Sequence, residues 1–171
     1  MLNILEVVVV LLVITLAFFI HEMGHAITVV LRNKKAKAEI YLGSFSKEKK
    51  LKLSLGRITC YLTIAFSGIC NVSNPEELPP STNKQNLIFS AGGPIASLLG
   101  FVTLYFISYL ISGVLGIIIN RVAVMSLIVF FTSAIPFIYP SFLRHVGGLQ
   151  NDGLKILNIL KEIRKQQKVV S

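Results

Sequence analysis

The stretch from about Ile4 to Leu31 is apolar and long enough to cross a bilayer, yet its second half carries His21-Glu22-Met23-Gly24-His25. A carboxylate in hydrocarbon costs roughly 3 kcal/mol or more, so ionisable groups in a spanning segment are functional candidates. In an α-helix His21 and His25 stand one turn apart on the same face and can grip one Zn2+, while Glu22 is placed to take a proton from an attacking water. A zinc hydrolase inside a membrane is the direct reading. The same residues also suit an ion or proton relay, or a metal site without chemistry.

Composition agrees with an integral membrane protein. Of 171 residues, 53% are hydrophobic, and the mean hydropathy of +0.71 is far above that of a soluble domain of this size. A single domain, 1–171, is expected. The formal charge of +9 does not indicate nucleic acid, because the basic residues form two blocks that flank apolar segments. Cys60 and Cys70 lack the CxxC spacing of a thiolate metal site and are expected to be ordinary reduced thiols. The first span lacks a basic leader and a small-residue cleavage pattern, so it is expected to stay in the mature protein.

A second apolar region, about Leu87 to Tyr139, has Arg121 as its one ionisable residue and is long enough for two crossings, with the turn expected at Asn120-Arg121. The fold class is therefore membrane α-helical, with three spans at about 4–31, 87–118 and 122–139. The second is longer than a bilayer requires, and is expected to tilt, break near Gly92-Gly93-Pro94 or fray around Gly113 and Gly116. Ten Lys or Arg residues lie between Arg32 and Lys84 against four acids, and six more follow the third span. The positive-inside rule then puts the N-terminus outside, the central segment and C-terminus in the cytoplasm, and the pentad in the cytoplasmic half of the membrane. The sequon Asn71-Val72-Ser73 falls on that side and is discounted.

Leu51-Lys52-Leu53-Ser54-Leu55 alternates strictly, and Ala38–Leu42 and Thr59–Phe66 are rich in β-formers, so a small antiparallel sheet or hairpin at the membrane surface is expected over about 37–66. Residues 71–86, with three prolines, read as a loop. After the third span, Asn151-Asp152-Gly153 opens an amphipathic helix with Ile156, Leu157, Leu160 and Ile163 on its apolar face. A catalytic zinc needs a third protein ligand and an open position for water. Both His145 and Asp152 are available, although Asn-Asp-Gly is also an ordinary turn or helix cap.

Taken in order, the pentad, the β-rich insert, Ser90-Ala91-Gly92-Gly93-Pro94-Ile95-Ala96-Ser97 in the next helix and Asp152-Gly153 after the last span resemble the site-2 protease family of intramembrane zinc metalloproteases. The resemblance covers about residues 10–160 and is strongest to the small, minimal bacterial members. It implies His21, His25 and Asp152 as zinc ligands, Glu22 as general base, and a transmembrane or membrane-associated peptide as substrate. It passes over His145. The chain has Ser97 and Ser133 where the family often has Asn, which leaves open a catalytically silent relative that binds or helps mature a membrane peptide. A metal or proton transporter is disfavoured, since three spans offer few polar groups for a path and no internal repeat is visible. Gly93 with Ser97, and Ala96 with Gly100, make small-x-x-x-small spacings for close helix packing. The same thin surface at Gly93, Pro94 and Ser97 leaves room beside the pentad for an extended substrate strand.

Overall fold

The computed structural model describes residues 3–141 and 147–170. Its elements are α1 (Ile4–Arg32), β1 (Ala38–Leu42), β2 (Leu51–Leu55), β3 (Ile58–Leu62), β4 (Gly68–Val72), a 3-10 turn (Pro75–Glu77), α2 (Asn83–Leu110), α3 (Gly113–Ala134) and α4 (Asp152–Val170). Three of the helices, α1 to α3, are long and apolar enough to cross a membrane. Local chemistry sets where they begin. Asn3 Oδ1 accepts from the Glu6 amide at 2.8 Å while Glu6 Oε2 accepts from the Asn3 amide at 2.9 Å, a reciprocal cap on α1. Thr82 and Gln85 make the same box at the start of α2.

The turn between the second and third spans lies nine residues before the expected position. The helices break at Ile111-Ser112, and Gly113 takes φ +74°, the left-handed conformation that glycine adopts without a steric penalty. Asn120 and Arg121 fall inside α3 instead. Asn120 is absorbed there by an interhelical bond, its Nδ2 donating to Ser108 Oγ at 3.2 Å, and Arg121 is exposed on the helix surface, where its long side chain can reach for the interface. The helix α2 runs unbroken through Gly92-Gly93-Pro94.

The helices α1 and α2 cross at the pentad with almost no side chain between their backbones. A β-carbon placed on Gly24 would lie 2.2 Å from the Gly92 carbonyl oxygen, so both positions require glycine at this approach. The helix α3 packs on α2 and α1, and α4 lies across α2 with Asn83 Nδ2 donating to Gln166 Oε1 at 3.3 Å.

The insert is a four-stranded mixed sheet in the order β2-β3-β1-β4, rather than an antiparallel one. The β2–β3 hairpin turns at Gly56-Arg57 as its alternation suggests, but β3 then lies parallel to β1, with Ile40 opposite Cys60. β3 ends at Leu62, and residues 63–67 cross over to a fourth strand, β4, antiparallel to β1 within what the composition marks as the end of the insert and the start of a loop. One face of the sheet, with Ala38, Ile40, Leu42, Cys60 and Cys70, packs on Ala26 and Val29 of α1 to make the core. Cys60 and Cys70 are free thiols inside it. The opposite face carries the stacked rings of Tyr41 and Tyr61, 5.0 Å apart, and the Glu39–Lys47 ion pair. Among the described residues β4 pairs only with β1, which leaves its outer edge without a strand partner there, and that edge faces the pentad.

Candidate metal centre

His21, Glu22 and His25 project from α1 into the protein and are each 5% exposed. Asp152, at the first turn of α4 and 131 residues from His21, is brought against them. The His25 ring donates from Nδ1 to the Phe89 carbonyl of α2 at 2.7 Å, which places its proton on Nδ1 and leaves Nε2 with a lone pair. With the proton of His21 also on Nδ1, Ser97 Oγ accepts it at 2.9 Å. Both Nε2 atoms then turn to one point, 3.3 Å from each other, with Asp152 Oδ2 at 3.1 Å from His21 and 3.3 Å from His25.

Two ring nitrogens and a carboxylate oxygen so close together repel through their lone pairs unless a cation lies among them. A proton on one imidazole would serve, and so would a metal ion. The spacing fits a metal well: with bonds of about 2.0–2.1 Å, the edge of a tetrahedral zinc site is about 3.3 Å. Each histidine is also braced at its other nitrogen, the arrangement that orients metal-binding imidazoles. His21, His25 and Asp152 could thus hold a metal ion, and they are such a group among the described residues. His145 lies outside the described residues.

Asp152 is positioned by its neighbour. Asn151, 2% exposed, accepts from the amides of Phe137 and Leu154 through Oδ1 and donates from Nδ2 to the carbonyls of Thr132, Ser133 and Ile135. It caps α4 and ties that cap to the end of α3, so a cap at Asn-Asp-Gly is compatible with Asp152 lying against the histidines. Gly153 permits the approach, since a β-carbon there would meet the Ala134 carbonyl oxygen at 2.1 Å. Burial opposes ionisation of Asp152, but its bonds to His21 and His25, with Lys155 nearby, outweigh that and hold the carboxyl well below its usual range.

Gly93, Pro94 and Ser97 are buried behind the histidines rather than on the wall of the adjoining cavity. A β-carbon on Gly93 would lie 2.3 Å from His25 Nε2, and Ser97, expected beside substrate, spends its hydroxyl on His21. The cavity itself, about 490 Å³, opens in front of Glu22 and is bordered by β4 on one side and by Tyr139, Leu149 and Gln150 on the other. Gly68 of β4 sits so close that a β-carbon there would fall 2.5 Å from Glu22 Cγ. The Tyr139 phenol is pushed up to about 12 by burial and by the carboxylates of Asp152 and Glu22, so it stays protonated as a donor on the cavity wall. Neither Tyr139 nor Asn151 stands out in the sequence as a site residue. Only the cap pattern beside Asp152 could have pointed to Asn151.

The sequence model of peptidase family M50 matches residues 9–170. No curated protein matches the chain significantly. The matched region takes in α1 from residue 9, the sheet, α2, α3 and α4, and so includes both histidines and Asp152. On that near-complete match the chain belongs to peptidase family M50, the site-2 proteases, a family of zinc metalloproteases, and is a multi-pass integral membrane protein of that family.

Proposed function

We propose that this protein is an intramembrane zinc endopeptidase that cuts a transmembrane or membrane-associated peptide, with His21, His25 and Asp152 holding the metal and Glu22 acting as general base. The observation that carries the reading is the meeting of three donor atoms, 3.1–3.3 Å apart, from α1 and α4 beside a buried glutamate. Zinc held by these residues would supply Lewis acidity to polarise the peptide carbonyl and make water a stronger nucleophile near neutral pH. Glu22 takes the proton from the attacking water and passes it to the leaving amine. Tyr139 can donate from its phenol to the carbonyl oxygen as charge builds there. A helical substrate hides its carbonyls in its own hydrogen bonds, so it has to unwind locally, and the open edge of β4 beside Glu22 offers backbone partners for the extended segment. The whole chain, 1–171, works as one domain, because the site draws on α1, α2, β4 and α4 together.

The test is cleavage of a membrane peptide by the purified protein in detergent. Chelator should stop the reaction and zinc restore it. A protein that binds the peptide with zinc in place and never cuts it would establish the silent-binder alternative. Ser97 supports the reading from behind: Ser97→Ala should lower zinc affinity about 10–100-fold by freeing the His21 ring. Competition with a chelating dye reads this, and an unchanged affinity would show that the hydroxyl does not orient the ligand.

The same proposal places the N-terminus outside, the Ile111–Gly113 turn outside, and the sheet, α4 and the metal centre toward the cytoplasm, on the strength of the Lys and Arg distribution. A periplasm-active reporter fused after Ser112 should be active, and one at the C-terminus silent. The opposite pattern would invert the topology.

A further inference from the structure

A second recess of about 440 Å³ adjoins the cavity at the metal centre, and the two spaces share Ile69, Cys70, Phe89, Leu149 and Lys155 as walls. The second recess lies between the last turns of α1, the outer edge of β4 and the first turns of α2.

The chemistry changes along this groove. In front of the metal centre the charged walls include the carboxylates of Glu22 and Asp152. In the second recess, among the described residues, the charged walls are Arg32 and Lys155, and the neutral polar ones include Asn71, Ser81, Gln85 and Asn86. One N–H of the Arg32 guanidinium donates to the Pro79 carbonyl at 2.6 Å, which holds the head group at the recess. Lys155 stands at the border, 3.5 Å from Asp152 Oδ1 with its side chain 45% exposed. A peptide strand laid on the open edge of β4 would have its scissile region beside Gly68 and Glu22. At about 3.3 Å per residue, the far end of β4 at Val72 lies about 13 Å further along, roughly four residues away.

We infer that this second recess is a substrate subsite for a carboxylate placed about three to five residues from the scissile bond, bound by Arg32 and Lys155. The inference rests on the peptidase reading of the metal centre. The recess offers two cations, amides and hydroxyls to an anion, and a guanidinium suits a carboxylate in particular because it can donate two parallel N–H bonds. An acid placed nearer the cut would be out of reach of Arg32, which lines only the second recess, so the preference is confined to the distant position. The carboxylate can be an Asp or Glu side chain or the free C-terminus of a short peptide.

The test is a set of apolar membrane peptides with one Glu, Gln or Lys moved residue by residue along either side of the cut, each with a free or an amidated C-terminus. For the wild-type protein, Glu at the matching distance should raise kcat/KM roughly ten-fold over Gln, through KM, with Lys poorest. If the chain end is the source, internal Glu has no effect, and amidation costs the same factor only in peptides that end at that distance. Arg32→Glu should reverse the order so that the Lys peptide becomes the best. A misfolded protein would lose all peptides alike, so the reversal reads charge alone. Anisotropy titration of the Glu22→Gln protein with the same labelled peptides reads the order by Kd, without cleavage, so a failure of the peptidase reading leaves this measurement standing. Equal affinity for Glu, Gln and Lys, with free and amidated ends alike, would overturn the subsite. So would a Glu preference that survives Arg32→Glu.

Discussion

Glu22→Gln should lower the rate of peptide cleavage by about 10²–10⁴-fold while zinc content, fold and peptide affinity stay at wild-type levels. The side chain lies next to the histidines in sequence but makes no contact with their Nε2 atoms comparable to that of Asp152, whose Oδ2 closes the donor triangle. Glutamine keeps the shape that packs against Gly68, where the space is too small for even one added carbon. It removes the basic oxygen and nothing else of comparable weight. The measurement pairs a cleavage assay with metal analysis and peptide binding on the same preparation. Loss of zinc together with activity would move Glu22 from base to ligand. Equal cleavage by the variant and the wild type would take the reaction away from this site altogether.

How much of this was legible in the sequence depends on how local each determinant is. The first span and its pentad stand out because the cost of ionisable groups in hydrocarbon makes them conspicuous against Val, Leu and Ile. The β2–β3 hairpin is equally visible, through strict alternation and a Gly-Arg turn. β4 is not: Gly-Ile-Cys-Asn-Val has no alternation, and it becomes a strand only by pairing with β1, some thirty residues earlier in the chain. The polar pair Asn120-Arg121 marks the expected turn between α2 and α3, whereas the backbone reverses at Gly113. Arg121 is tolerated inside a helix because its side chain can reach outward, so charge is a weaker marker of a turn than a required positive φ. Ser97 illustrates the same limit at the site. Its place in a small-residue spacing is readable, but its bond to His21 depends on a helix crossing that brings together residues 76 apart.

Asp152→Ala should weaken zinc binding by at least about 100-fold, a larger loss than the removal of a bracing partner such as Ser97. The mutation takes away one of three donors and the charge that offsets the metal's own. It should do so without unfolding the region, because the cap of α4 and its tie to α3 belong to Asn151, whose five bonds do not involve the Asp152 side chain. That separation makes the experiment informative: loss of metal from a folded protein reports on ligation alone. Asp152→Asn refines it, since the amide preserves volume and one acceptor oxygen but not the charge, and should fall between the wild type and alanine. The control is His145→Ala, which should leave zinc content near one ion per chain, as expected of a histidine that the family resemblance passes over. Zinc per chain after gel filtration in metal-free buffer, with circular dichroism on the same samples, decides the matter. If His145→Ala empties the site while Asp152→Ala keeps its metal, the contact of Asp152 with both imidazoles is an ion pair, and the third ligand is His145.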